Sequence, residues 1–179
     1  MPKSTLAGHP LHPMLIVAPA ALIPFGFLLD AMHRATGKES YSEAAYYSLM
    51  GGLVGGIAAG AAGALDYLAI PRETEVKRTA NVHALLNSGA LAMTAANVLA
   101  RKRDGAHRGG SLAASALAAA AVIVSGWFGG RLVYEQGMRV KSVSPVADEP
   151  ELLIPGDARI AQAMLAAERR MPAAGPVLH

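Results

Sequence analysis

Apolar runs long enough to cross a bilayer recur four times along the chain, separated by shorter stretches rich in charge, Pro and Gly. The first runs from Met14 to Met32, the second from Ala44 to Ile70, the third from Thr79 to Ala100 and the fourth from Ser111 to Tyr134. At 1.5 Å per residue each matches a hydrocarbon layer of about 30 Å. The pattern predicts an all-α, integral membrane four-helix up-down bundle. Pro13 suits a first helical turn, and Pro19 and Pro24 should bend the first span. Gly37 stops that helix within a polar turn, Arg34–Glu43, and Pro71 ends the second. Gly51/Gly55, Gly52/Gly56 and Gly56/Gly60 in the second span are spaced for close helix contact. Trp127 and Tyr134 suit an interfacial belt.

Past Lys141 the pattern breaks. Residues 142–156 are Pro- and acid-rich and read as a linker. Asp157 then opens a short amphipathic helix to Met171, with Ile160, Met164, Ala167 and Met171 on one face. A helix of that kind rests on a membrane or on the bundle. The division is therefore a four-span membrane domain, 1–141, and a linker with a peripheral C-terminal helix, 142–179. No long internal repeat is legible.

Composition narrows the class. Of 179 residues, 53% are hydrophobic and only 16% charged, too few charges to cover a water-soluble domain of this length. The mean hydropathy of +0.32 agrees. Absence of cysteine excludes thiolate metal sites and Cys-ligated clusters. The basic balance, +3, comes from residues between the spans, so topology explains it and nucleic acid does not. No cleavable signal pattern opens the chain, and the first span is expected to stay. Arg34, Lys38, Arg101, Lys102, Arg103 and Arg108 on one side are matched in number by Lys3, Arg72, Lys77, Arg78, Arg139 and Lys141 on the other. The dense group in the loop Arg101–Gly110 inclines the N-terminus outward.

The polar residues inside the spans gather at one level. His9 and His12 flank the start of the first span, and Asp66 lies near the end of the second. His83 and Asn87 lie near the start of the third, and Arg131, Tyr134 and Glu135 close the fourth. Up-down threading brings these ends together. Ionisable groups at such depth are costly unless paired or bound, which makes them functional candidates. Asp66 is placed to orient the His83 imidazole and leave its other nitrogen for a metal. His12 or His9 with His83 would serve as axial ligands of haem b, with Gly126 and Gly130 beside the macrocycle and Arg131 on a propionate. His9, His12, Asp66 and His83 together would instead suit a divalent transition metal such as zinc or copper. A structural reading stands beside both: Asp66 and His83 clamp two helices, Arg131 pairs with Glu135 four residues on, and the glycines only pack. His33 and His107 read as loop residues. No nucleophile elbow, phosphate loop or H-E-x-x-H helix is present, so no enzymatic reaction is assigned.

The stretches HPLHPMLIVAPAALIPFGFLLD, Gly63–Tyr67, Ala80–Asn87 and SGWFGGRLVYEQGMRV resemble a bacterial membrane family, domain of unknown function 2231, over roughly residues 6–141. The resemblance implies a four-helix domain in a bacterial inner (cytoplasmic) membrane. Relatives fused to Rieske or cytochrome c modules imply membrane electron transfer, although this chain carries no cysteine for either module. The leading expectation is a haem-binding electron-transfer protein whose partners are the bilayer and a redox protein or quinone. A homo-oligomer is compatible with this class. Metal binding or transport, and a structural or assembly role, are the alternatives.

Overall fold

A computed structural model describes residues 5–7, 9–103, 110–140 and 157–170. Two two-residue strands, β1 (Thr5–Leu6) and β2 (His9–Pro10), pair antiparallel ahead of α1 (Leu11–Leu15) and α2 (Val17–Thr36). Then follow α3 (Glu39–Ala69), α4 (Glu75–Arg103), α5 (Leu112–Gly130), a π-helical turn (Arg131–Glu135) and α6 (Asp157–Arg170). The predicted linker, residues 142–156, lies outside the described residues, as do His107 and Met171.

Four helical stretches are long and apolar enough to span a membrane: Leu11–Thr36, Glu39–Ala69, Glu75–Arg101 and Leu112–Glu135. The first and third overrun their predicted bounds at both ends, the second begins earlier than predicted, and the fourth is shifted by one residue. The turn expected over Arg34–Glu43 shrinks to Gly37 and Lys38, because Gly37 takes the left-handed conformation (φ 70°) and its N–H caps the His33 carbonyl at 2.8 Å. His33 is thus in the last helical turn rather than in a loop. Only one of the two prolines interrupts a helix. Pro19 has no N–H for the Leu15 carbonyl, and the chain breaks at Ile16 between α1 and α2, whereas Pro24 sits inside α2.

The bundle is turned inside out relative to a water-soluble one. α3 buries Ser42, Ala45, Ser48, Leu49, Gly52, Gly56, Ala59, Ala62 and Asp66, residues mostly small or polar and mostly three or four apart. Phe25, Ile57, Leu85, Leu117 and Ile123 face outward. Lipid is the solvent that makes this arrangement stable, since tails solvate large apolar side chains and leave small ones for helix contact. Gly52 and Gly55 show the closeness: a Cβ there would fall 2.7 Å from Ile23 and 2.6 Å from Ala18. Gly60, expected in the same seam, meets nothing within 4 Å and lies on the outer surface.

The helices close a ring in the order α2, α3, α4, α5 and back to α2, with α2 diagonal to α4 and α3 to α5. A repeat that the sequence hides appears at this level. His12 precedes Asp30 by eighteen residues, and His83 precedes Arg101 by eighteen. Aligning those pairs sets buried Ile23 against Thr94, and buried Gly26 against Asn97. The same treatment of α3 and α5 sets Leu49 against Ser115, Gly52 against Ala118, Ala59 against Ser125 and Asp66 against Leu132, every one buried. In register and burial the two helical hairpins, α2 with α3 and α4 with α5, are equivalent. Side-chain identities differ at most equivalent positions, which is why no repeat is legible in the sequence. His12 with His83 and Gly63 with Gly129 are among the exceptions.

Candidate functional site: a histidine pair between two hairpins

α1 exists to deliver His12. The short helix tips its side chain across to α3, where Nδ1 bonds the Ala59 carbonyl at 2.8 Å and the ring lies over Gly63. A Cβ on Gly63 would come within 2.7 Å of Nδ1, so only glycine leaves room for the imidazole. His83 repeats this on the other hairpin. Its Nδ1 bonds the Ser125 carbonyl on α5 at 2.9 Å, and the ring lies over Gly129, whose added Cβ would fall 3.0 Å from Cε1. In both halves the accepting carbonyl stands four residues before the glycine.

These contacts fix the protons. A carbonyl only accepts, so each Nδ1 carries its hydrogen and each Nε2 presents a lone pair. The Asn87 amide nitrogen donates to the Ser125 hydroxyl (2.6 Å) and to the His83 carbonyl (2.9 Å), and lies 3.1 Å from Nε2 of His83, against its lone pair. Nε2 of His12 has no hydrogen-bond partner among the described residues. The two rings stand perpendicular, 88° between planes, with centroids 6.1 Å apart. By position along the helices they lie between two apolar clusters. Ile70, Ala80, Leu132 and Met138 close the near end, and Ile23, Leu49, Val98 and Ala118 fill the bundle beyond.

Other expected members are elsewhere. His9 is exposed on β2 and bonds the Ala7 carbonyl at 3.0 Å. Asp66 does not orient His83. Arg139 takes it instead, with Nη2 at 2.7 Å and Nε at 3.1 Å from the same carboxylate oxygen. That partner was missed because the π-helical turn and Gly137 (φ 65°) fold the chain back over the bundle end. Arg131 pairs with Glu135, as four-residue spacing suggested, and also with Glu75 at 3.0 Å. Gly126 faces outward with nothing within 4 Å of an added Cβ, and Gly130 approaches only Tyr134. The glycines that meet imidazole are Gly63 and Gly129. Among the described residues no three of His, Asp or Glu gather as a metal-holding group, so the four-residue ligand set is not assembled. The convergence of three histidines and a carboxylate is in fact a pair of histidines with their own hydrogen-bonded supports.

A second buried polar pair joins the same two hairpins at the opposite end of the bundle. Asp30 of α2 accepts a hydrogen bond from Arg101 Nη2 of α4, and both side chains are all but sealed, at 3% and 0% exposed. Arg101 also donates to the Ser42 carbonyl. Asn97 and Ser111 exchange hydrogen bonds one turn away. Arg101 is therefore no loop charge, and it leaves the count that inclined the N-terminus outward.

Residues 8–142 match the family described as predicted membrane protein (DUF2231). The chain belongs to that family. No curated protein and no solved structure matches it. Family membership and the four spans agree on a membrane protein, and the histidine pair lies wholly within the matched region.

Proposed function

We propose that this DUF2231 chain is an electron-transfer protein of a bacterial inner (cytoplasmic) membrane, with His12 and His83 as the axial ligands of a b-type haem. One observation carries the reading: two imidazoles from separate hairpins, each with Nδ1–H fixed on a backbone carbonyl and Nε2 left as a lone pair. That is the support which orients ligating histidines. Metal–nitrogen bonds of about 2 Å, with each ring centre about 1 Å further, put two trans imidazoles about 6 Å apart across one metal. The rings stand at 6.1 Å. Haem iron needs only two protein ligands, the number this site supplies. Asn87 would turn away from His83 on binding, and Arg131, two residues past Gly129, would meet a propionate at the rim. Electrons would pass to a quinone or a partner redox protein.

A second reading keeps the same two residues and replaces haem with a single ion such as copper or zinc. It asks less of the bundle, since a single ion needs no slot for a macrocycle between the helices. Visible spectra of the detergent-purified protein, oxidised and dithionite-reduced, decide between them when haem is supplied during expression and metals are assayed on the same sample. A sharp reduced α-band that disappears in both His12→Ala and His83→Ala is the expected result. A featureless spectrum with stoichiometric metal replaces haem by the ion, and neither haem nor metal overturns both readings.

A further inference from the structure

α6 differs in kind from the four spans. At 14 residues it is too short to cross a bilayer, about 21 Å at 1.5 Å per residue, and it carries Arg159, Arg169 and Arg170. Ile160, Met164 and Ala167 follow one another at spacings of four and three, forming a stripe along one side. Among the described residues nothing covers that stripe. Every α6 residue whose exposure is described is exposed, with Ile160 at 42%, Met164 at 56% and Leu165 at 53%.

Two facts identify what does cover it. Four spans return the chain to the membrane side on which it began, so Val140 leaves the bundle at the histidine end. Sixteen residues then separate Val140 from Asp157. At a reach of at most about 3.5 Å per residue, α6 begins no more than about 60 Å from the bilayer surface. An apolar stripe held that close to lipid meets lipid far more often than any free partner. The charges agree. Counting 100° per residue, Arg159 and Arg170 lie side by side along one edge of the stripe, where a helix lying flat would set their guanidiniums at headgroup depth. Guanidinium groups suit phosphate oxygens.

We infer that α6 lies flat in the headgroup region of the bilayer on the histidine side, with Ile160, Met164 and Ala167 in the acyl boundary and Arg159 and Arg170 on anionic lipid phosphate. This inference stands whether or not the histidine pair binds haem. A helix so placed would rest beside the bundle end that holds the pair and position whatever approaches it.

The full chain allows a clean test because it contains no cysteine. Single cysteines at Ala158, Ile160, Gln162 and Met164, one per variant, would carry an environment-sensitive fluorophore in proteoliposomes of phosphatidylcholine with phosphatidylglycerol. Lipids bearing a quencher near the headgroup are expected to quench labels at 160 and 164, and leave labels at 158 and 162, on the opposite face, as bright as in detergent. R159Q with R170Q should lower the quenching at 160 and 164 in phosphatidylglycerol vesicles and leave it unchanged in pure phosphatidylcholine. Equal quenching at all four sites, or none at any, overturns the inference. Labels at 160 and 164 shielded from water and from the lipid quencher alike also overturn it, assigning the stripe to the bundle or to a second copy.

Discussion

Two polar pairs join the hairpins at opposite ends of the bundle, and they differ in kind. At one end equivalent positions carry unlike residues, Asp30 and Arg101, which satisfy each other. At the other end they carry the same residue, His12 and His83. Two imidazoles held in the same tautomer both offer lone pairs at Nε2, and lone pairs do not bond each other. The charged end is complete as it stands. The histidine end is complete only with a third party, and Asn87 supplies half of one by setting its amide against the His83 lone pair alone. Under the proposed function, this difference gives fold stability to the Asp–Arg end and ligand binding to the histidine end.

Breaking the charged end should give the largest effect. Removing one partner of a buried pair strands the other charge, which costs about 3–5 kcal/mol. R101M and D30N are each expected to lower the thermal unfolding temperature in detergent sharply. D30L combined with R101M should recover most of that loss, because no charge is then stranded. If the hairpins offer equivalent environments, the exchange D30R with R101D should also lie closer to wild type than either single variant. Single variants as stable as wild type would remove this pair from the fold's supports.

The histidine end should respond to ring placement more than to stability. G63A forces His12 off Gly63, where the added Cβ would fall 2.7 Å from Nδ1, and G129A forces His83 less, at 3.0 Å from Cε1. Overpacking of this kind costs about 1–3 kcal/mol. G63A is therefore expected to lose more bound ligand than G129A, read as haem or metal per protein, while both keep the helical circular dichroism of wild type. Equal, full retention of ligand in both variants would detach the glycines from the site.

The spans, their order and the two histidines were legible because polar residues stand out against long apolar runs, and threading alone brings their ends together. The Asp30–Arg101 pair was not. Asp30 falls in the last apolar turns of the first span, and Arg101 opens a string of basic residues that reads as a loop until α4 is seen to continue through Arg103. The partner of Asp66 was hidden because Arg139 reaches it only by a turn-back after the π-helical segment. The duplicated hairpin was hidden because equivalence lies in register and burial. Pairs such as Ile23 and Thr94 share a place but no chemistry.

Asn87 gives the smallest and most informative change. Its amide now occupies the His83 lone pair that a metal would take, so it competes with the ligand while stabilising the empty site. A hydrogen bond of this type contributes about 1 kcal/mol. N87A should therefore lower thermal stability of the ligand-free protein by about that much. In the same variant the affinity for haem or metal should rise several-fold, because nothing has to leave Nε2 first. If N87A weakens binding instead, Asn87 holds the imidazole in its ligating orientation. The two hairpins would then differ in how they support their histidines, with a carbonyl alone sufficing for His12 and an added amide needed for His83.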